Sequence, residues 1–251
     1  MSDVELRFLG TGDAFGSGGR LHSCTFIRSA VGDVLVDCGP SSLAALRRES
    51  LDPNAVDAVV LTHLHGDHFG GVPFLLMDAH YATGRTRPLV IAGPAGVADA
   101  VARALEVLFP GSGGLVPRFP VTYVEWRDRE AVGAGPVRVT PFPVRHSTHT
   151  PCYGLRVETG GRVLSFSGDT EWTDALIELS SGADLFVCEC SGYESAPPHH
   201  LDYLTLERHK PALTYRRLLL THMGEAMLAR AEARGLDAAM DGLRVRLEGQ
   251  A

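Results

Sequence analysis

The stretch Thr62-His63-Leu64-His65-Gly66-Asp67-His68 places four potential metal ligands within six successive positions. It follows the apolar run 56–61 and leads into Phe69-Gly70-Gly71, so we expect it at the carboxyl end of a buried strand, where the chain turns into a helix. Imidazole nitrogens and a carboxylate suit zinc, and a loop here lets His63 and His65 face one ion while Asp67 and His68 face another. An exposed turn of unrelated polar residues is the alternative, but this spacing rarely occurs by accident.

Three further residues with metal-binding side chains each follow a predicted strand. His146 comes after the strand 137–144, Asp169 after 162–167 and His222 after 217–221. Because side chains that follow different strands gather at one edge of a sheet, we expect all three to converge on the cluster. Taken singly, each could equally be a helix cap or a core residue, but beside the cluster the ligand interpretation is favoured.

The wider pattern predicts an α/β protein with mixed sheets. Short β-type runs alternate with helical patterns at 41–49, 94–108, 173–179, 204–210 and 225–234. Strands follow one another without a helix up to Asp37 and again over 137–167, which indicates more antiparallel pairing than a simple βαβ series. Glycine-rich stretches at 111–114 and 133–135 predict surface turns. The length favours one large domain over residues 1–251.

Composition restricts the class of protein. Hydrophobic residues make up 45% and charged residues 21% of the chain, as in ordinary globular proteins. The five cysteines are scattered without a Cys-x-x-Cys motif, no export signal is visible, and no apolar run approaches the ~20 residues of a membrane span. We therefore expect a cytoplasmic protein without membrane contact. A formal net charge of −7 without a Lys/Arg cluster makes a long nucleic acid an unfavourable partner.

The order of these motifs resembles the metallo-β-lactamase superfamily of binuclear hydrolases over nearly the whole chain. The resemblance implies a four-layer αββα sandwich with two Zn²⁺ ions at one edge, or Mn²⁺ or Fe²⁺ in their place. It implies that His63, His65 and His146 bind the first ion, that Asp67, His68 and His222 bind the second, and that Asp169 bridges them with a water or hydroxide.

The resemblance also implies roles for two aspartates and excludes one branch of the superfamily. Asp37, in Val36-Asp37-Cys38-Gly39, would orient a ligand histidine from behind. The nucleophile would be a hydroxide shared by the two ions, since two cations lower the pKa of a bound water to ~7. Asp67 would be both a ligand and the hydrogen-bond partner of this hydroxide. A histidine at position 65, in place of a carboxylate, is unlike the di-iron redox branch, so zinc hydrolysis is favoured over electron transfer.

Within the superfamily the motifs resemble the phosphodiesterase branch, which includes tRNase Z and the phosphoribosyl cyclic phosphodiesterase. In that branch a histidine matching His200, in His199-His200-Leu201-Asp202, contacts the phosphate and acts as general acid. The chain departs from both relatives: little more than a hairpin joins His146 to Asp169, where tRNase Z has a long insertion, and 16–20 lacks the other enzyme's cysteine zinc site. We expect a small phosphodiester substrate, linear or cyclic.

Two other functions stay open at this point. An acyl hydrolase, such as a lactonase or thioesterase, can have the same metal ligands, and His200 is the residue that discriminates. A non-catalytic metal-binding accessory protein is disfavoured because every ligand is retained. The resemblance allows a homodimer. Further polar residues that could touch substrate, although each is more simply an ordinary turn residue, are Arg20, His22, Ser147, His149 and His199.

Overall fold

Two facing β-sheets form the centre of the protein, which is described here by a computed structural model over residues 3–249. The strands are β1 Val4–Gly10, β2 Cys24–Ser29, β3 Gly32–Val36, β4 Val56–Val60, β5 Leu89–Gly93, β6 Val121–Glu125, β7 Val132–Ala134, β8 Val137–Pro143, β9 Tyr153–Thr159, β10 Arg162–Phe166, β11 Leu185–Glu189, β12 Leu218–Thr221 and β13 Arg244–Leu247. The helices are α1 Ser42–Arg48, α2 Gly66–Phe69, α3 Val72–Met77, α4 Val97–Leu108, α5 Ala175–Ser180, α6 Tyr203–His209 and α7 Glu225–Arg234.

Both sheets are mixed. The first has the order β13-β1-β2-β3-β4-β5-β6, with antiparallel pairing from β13 to β3 and parallel pairing from β3 to β6. The second has the order β12-β11-β10-β9-β8-β7, with antiparallel pairing from β7 to β10 and parallel pairing from β10 to β12. The parallel strands of each sheet direct their carboxyl ends to the same edge, which is where the predicted ligands follow.

Burial on both faces explains why the parallel strands are continuous apolar runs. In β4 the side chains of Ala58 and Val60 pack between the sheets, whereas Val59 and Leu61 face the layer formed by α1, α3 and α4. On the other sheet, β11 sends alternate side chains inward and toward the layer of α5, α6 and α7. Because neighbouring strand residues point to opposite faces, two covered faces require apolar side chains at every position. The result is the expected αββα arrangement, which confirms the predicted fold class.

The local predictions differ from the structure in a few places. All five predicted helices are present: α1 and α4 are shorter than predicted, α5 and α6 are displaced by one or two residues, and α7 has the predicted bounds. The helix expected after the strand of the ligand cluster is α2, which contains Asp67 and His68, and α3 follows it.

The turn predicted at 133–135 lies at Gly135-Pro136, between β7 and β8. The prediction is wrong for Gly133 and Ala134, which belong to β7, where Gly133 is paired with Arg138 of β8. Within residues 3–249 no helix has the length and apolar character that crossing a membrane requires.

Candidate metal centre

Polar side chains from several strands meet at the shared carboxyl edge of the two sheets. Each belongs to the last residue of a strand, to the loop that follows it or, for Asp67 and His68, to the short helix α2 after that loop: Asp37 after β3, His63 to His68 after β4, His146 after β8, Asp169 after β10, Glu189 at the end of β11 and His222 after β12. The topology therefore places residues that are far apart in sequence next to one another, as expected from their position after strands.

One group of potential ligands consists of His63, His65 and His146. Their nearest nitrogens all lie within 4.8 Å of one another. His146 Nε2 is 3.0 Å from His65 Nδ1, and the rings of His63 and His65 meet edge to face at 4.7 Å. Three imidazole nitrogens that converge in this way form the ligand set expected for the first ion.

A second group consists of Asp67, His68, Asp169 and His222, whose ligand atoms again lie within 4.8 Å of one another. Asp67 Oδ2 is 3.2 Å from His68 Nε2 and 3.3 Å from His222 Nε2. All four side chains are buried. This is the ligand set expected for the second ion, with Asp169 included.

Asp169 lies between the two groups. Its Oδ2 is 3.9 Å from His63 Nε2, 3.7 Å from His146 Nε2 and 3.3 Å from His222 Nε2, while its Oδ1 is 3.3 Å from His68 Nε2. A carboxylate this close to members of both groups is placed to be shared by two cations, as the bridging role requires.

Most of the buried imidazoles are held from behind by their second nitrogen. His68 Nδ1 is 2.7 Å from Asp37 Oδ2, and the same carboxylate accepts the backbone N–H of Thr62 at 2.8 Å. His146 Nδ1 donates to the carbonyl of His199 at 2.9 Å, and His63 Nδ1 is 3.1 Å from Thr62 Oγ1. Such contacts orient the other nitrogen of each ring toward the cluster, so Asp37 lies where the sequence predicts an orienting carboxylate.

The donor set fits divalent cations. His63 Nε2 and His68 Nε2 are buried without a hydrogen-bond partner among the described residues, a costly state that a metal ion would relieve. Burial keeps the pKa of His63 well below its usual value, so this ring is neutral and able to bind metal. Burial would also lower the pKa of His222, but the charge of Asp169 outweighs it and raises the pKa to about 9. The two carboxylates thus create a negative site that favours cations.

The backbone before Asp169 depends on glycine. Gly168 has a φ of +59°, and a Cβ there would lie 2.6 Å from the carbonyl oxygen of Tyr153 and 3.1 Å from Thr62 Cβ. Since Tyr153 also donates its N–H to the carbonyl of Thr62, the two sheets approach each other closely at this point. Only glycine combines that conformation with that space, so Gly168 lets Asp169 enter the cluster.

His200 lies beside the cluster, paired with a buried carboxylate that sequence reasoning missed. Its Nδ1 is 3.1 Å from Glu189 Oε1, and its side chain is 18% exposed. Its ring is 4.7 Å from the ring of His146 and 5.5 Å from that of His222. Glu189 also accepts the backbone N–H groups of Thr170 and Leu201. Burial would lower the pKa of His200, but the hydrogen bond and charge of Glu189 raise it.

The signal that could have revealed Glu189 is its position. It is a carboxylate at the end of an apolar strand, between the strands that precede Asp169 and His222, and it is only 1% exposed. A charged residue at such a place is rarely buried without a partner.

The remaining polar candidates are either exposed or bound to other residues of the fold. Arg20 donates to the carbonyl of Ala239 and to Thr11 Oγ1, so it is engaged within the fold. His22 Nδ1 lies 3.5 Å from Ser41 Oγ. Ser147 Oγ accepts the backbone N–H of the exposed His149. His199 is exposed, and its carbonyl oxygen accepts a hydrogen bond from His146 Nδ1. None of these side chains belongs to either ligand group.

Proteins of related sequence occur in mycobacteria. An uncharacterized protein of Mycobacterium leprae is 36% identical over 195 residues, which is 76% of this chain and 66% of that protein. Ribonuclease Z of Mycobacterium tuberculosis H37Rv is 30% identical over 191 residues, 73% of this chain and 68% of that protein. The chain therefore matches about two thirds of the length of these relatives.

Solved structures share the fold over nearly the whole chain. The metallo-β-lactamase fold protein YhfI of Bacillus subtilis has a TM-score of 0.77 at 22% identity, covering 98% of this chain and 100% of that one. The short form of human tRNase Z has a TM-score of 0.76 at 24% identity, with 96% and 98% covered. A diphosphatase of the PhnP family has a TM-score of 0.76 at 21% identity, with 98% of both chains covered. At these identities the similarity concerns the fold.

The family itself follows from the sequence match that spans the candidate centre. The model of the β-lactamase superfamily domain matches residues 33–223, a region that begins just before Asp37 and ends just after His222. It thus includes every residue of both ligand groups, together with Glu189 and His200. With its αββα fold and this match, the chain belongs to the β-lactamase superfamily.

Proposed function

We propose that this protein is a binuclear zinc hydrolase that cleaves a phosphodiester bond in a small linear or cyclic substrate. The observation that carries the proposal is the placement of His200, held by buried Glu189, directly beside both ligand groups. The names of its relatives agree with this reaction class, since they include Ribonuclease Z and, among fold neighbours, tRNase Z and a diphosphatase.

In this proposal the two ligand groups hold one ion each. His63, His65 and His146 would bind the first, Asp67, His68 and His222 the second, and Asp169 both. Two zinc ions would lower the pKa of a shared water to ~7, and their charge would stabilise the negative charge that develops on the phosphate. Mn²⁺ or Fe²⁺ would suit the same nitrogen and oxygen donors.

The chain's own side chains would then manage the protons. Asp67, which contacts His68 and His222 through Oδ2, would accept a hydrogen bond from the attacking water. His200 uses Nδ1 for Glu189, which leaves Nε2 free to donate a proton to the departing oxygen. A carboxylate behind the imidazole stabilises its protonated form, and this arrangement suits a general acid.

The size of the substrate is proposed from the surroundings of the centre. Between His146 and Asp169 the chain forms only the β9–β10 hairpin and its flanking loops, so no additional domain extends from this position. The net charge of −7 disfavours extended contact with a nucleic-acid backbone. Processing of tRNA 3′ ends is the second candidate, and the identity of 30% to a Ribonuclease Z favours it.

The test is His200→Ala, assayed on two phosphodiesters that differ in leaving group. A cyclic nucleotide expels a sugar alkoxide, which needs a proton, whereas bis(p-nitrophenyl) phosphate expels p-nitrophenolate, which needs little help. We expect kcat on the cyclic nucleotide to fall ~100- to 10,000-fold and kcat on the nitrophenyl ester to fall much less, because general acid catalysis acts in the transition state.

The matched control is His209→Ala, which removes a histidine that stacks on Trp172 and lies outside both ligand groups, and which should leave both activities unchanged. Metal content must be equal in all three proteins, because a lost ion would imitate a lost acid. A homoserine lactone and a thioester complete the panel. If His200→Ala hydrolyses the cyclic nucleotide at the parental rate, His200 is not the general acid. If the parent turns over only the acyl substrates, the phosphodiesterase proposal is wrong and the acyl hydrolase replaces it.

A further inference from the structure

Asp241 joins two distant parts of the chain close to the candidate centre. Its Oδ1 accepts both the backbone N–H and the hydroxyl of Thr11, at 2.9 and 2.8 Å, and its Oδ2 accepts the backbone N–H of Leu21 at 2.8 Å. The carboxylate thus fixes both ends of the loop that runs from β1 to β2. Thr11 and Asp241 lie outside residues 33–223, the region shared with the superfamily domain.

Thr11 in turn holds the main chain of His222. Thr11 is fully buried, and its carbonyl accepts the backbone N–H of His222 at 3.1 Å. His222 has a φ of 55°, in the left-handed region that a residue other than glycine adopts only where surrounding contacts impose it. The hydrogen bond from Thr11 is one of these contacts.

The side chain of His222 lacks the support that the other buried imidazoles have. His63, His68 and His146 each have a hydrogen-bond partner at Nδ1, namely Thr62, Asp37 and the carbonyl of His199. Nδ1 of His222 is buried and has no partner among the described residues. Its ring contacts Asp67 and Asp169 through Nε2 but has no hydrogen bond from behind, so its position depends more on its backbone than that of the other three rings does.

The segment before Asp241 also fixes the strand that leads to His222. The backbone N–H of Leu220 in β12 donates to the carbonyl of Asp237 at 2.9 Å, and that of Ala239 donates to the carbonyl of Leu220 at 2.7 Å. Arg20 connects the two halves of this arrangement, because its guanidinium donates to the carbonyl of Ala239 and to the hydroxyl of Thr11. Residues 237–241 and Thr11 therefore hold β12 and the backbone of His222 through main-chain hydrogen bonds.

We propose that Asp241 is a positioning residue that, through Thr11, sets the backbone of His222 and thereby the affinity of the ligand group formed by Asp67, His68, Asp169 and His222. This inference rests on the binuclear site of the proposed function. It assigns to Asp241 the task that Asp37 performs for His68, carried out through the main chain. It also assigns Arg20 a structural role, because its guanidinium binds Thr11 and Ala239 and so does not need a substrate as its partner.

The test measures zinc affinity by competition with a chromogenic chelator for the parent, Asp241→Ala and Asp241→Asn. We expect one of the two dissociation constants to rise ~10- to 100-fold in Asp241→Ala, as for residues that support metal ligands, and the other to stay unchanged. Asp241→Asn should act in the same direction but less, because the amide can accept from one of the two backbone segments only. His222→Ala, which removes the ligand itself, identifies the constant that belongs to its group.

The matched control is Asp184→Ala. Asp184 also accepts a backbone N–H and a side-chain donor, from Val163 at 2.9 Å and from Arg162 at 3.1 Å, but at the amino end of β11, opposite the centre. Its loss should lower thermal stability and leave both zinc constants unchanged. Circular dichroism checks that each variant is folded. If Asp241→Ala does not fold, the zinc affinities of Asp241→Asn decide whether the proposal holds.

Two results would overturn the proposal, in different ways. Folded Asp241 variants with both constants at the parental values, or with both constants weakened to the same degree, would show that Asp241 supports the fold and not His222. If the parent protein binds a single ion, the binuclear site of the proposed function is itself refuted. This result comes from the parent alone, so it is distinguishable from a failure of the Asp241 proposal.

Discussion

The pairing of Glu189 with His200 leads to a prediction about an isosteric change, Glu189→Gln. The carboxylate is 1% exposed, and its oxygens lie 3.1 and 3.3 Å from His200 Nδ1. Glutamine has the same shape but no charge, and one of its two terminal atoms can no longer accept a hydrogen bond. The imidazolium form of His200 would therefore lose its charged partner, while its ring stays near the cluster.

The expected loss follows from the strength of that contact. A hydrogen bond between charged groups contributes about 1.5–3 kcal/mol, and each 1.36 kcal/mol changes a rate tenfold. If the contact acts mainly on the protonated form in the transition state, kcat on a cyclic nucleotide should fall roughly 10- to 150-fold, with little change in KM. Glu189 raises the pKa of His200, so its loss lowers that pKa. Because the acid must be protonated, the alkaline limb of the kcat–pH profile should move to lower pH.

The assay compares kcat, KM and the pH profile of the parent, Glu189→Gln and His200→Ala at equal zinc content. In His200→Ala the alkaline limb assigned to His200 should disappear, and adding Glu189→Gln to it should have little further effect, since the two residues act as one unit. Parental kcat in Glu189→Gln, or an alkaline limb that stays in place, would refute the role of this pair.

Three more predictions concern the bridge, the backbone and the substrate. Asp169→Ala should lose bound zinc, by elemental analysis, and nearly all turnover, because this carboxylate contacts both ligand groups; normal turnover would exclude the bridge. Gly168→Ala should lower the free energy of unfolding in urea by about 2–4 kcal/mol, and Gly182→Ala by only about 1 kcal/mol, since both need a left-handed φ but only the first meets the carbonyl of Tyr153. Small phosphodiesters should be cleaved far better than precursor tRNA, and efficient, site-specific trimming of tRNA 3′ ends at physiological salt would contradict the proposed substrate size.

The sequence was informative where the chemistry is local. His63, His65, Asp67 and His68 are close in sequence, and the apolar strand before them predicts both the sheet edge and the turn. The order of strands and helices predicted an α/β protein with mixed sheets, and the resemblance to the metallo-β-lactamase superfamily implied the αββα sandwich. In the structure, β4 and β11 are covered on both faces, as this sandwich requires. His146, Asp169 and His222 could be proposed because parallel strands end at a common edge.

The sequence was uninformative where a residue's role depends on a distant partner. Glu189 ends an apolar strand between two buried cysteines, which marks it as unusual, but its partner is seen only once the loop that carries His200 has folded over it. Asp241 and Thr11 are separated by 230 positions, and their contact is made only when the last segment closes on the first loop. Gly133 looks like a turn residue, but pairing with β8 makes it part of a strand, because the partner strand determines the backbone.

The most direct test of the account is a titration of the metal-free protein with zinc, in which turnover of bis(p-nitrophenyl) phosphate is measured against the number of ions bound. The arrangement of His63, His65 and His146 beside Asp67, His68 and His222, with Asp169 between them, predicts that binding saturates at two ions per chain. It also predicts that phosphodiesterase turnover reaches its maximum only as the second ion binds. Saturation at one ion, or a protein with two ions that does not hydrolyse the ester, would contradict the account.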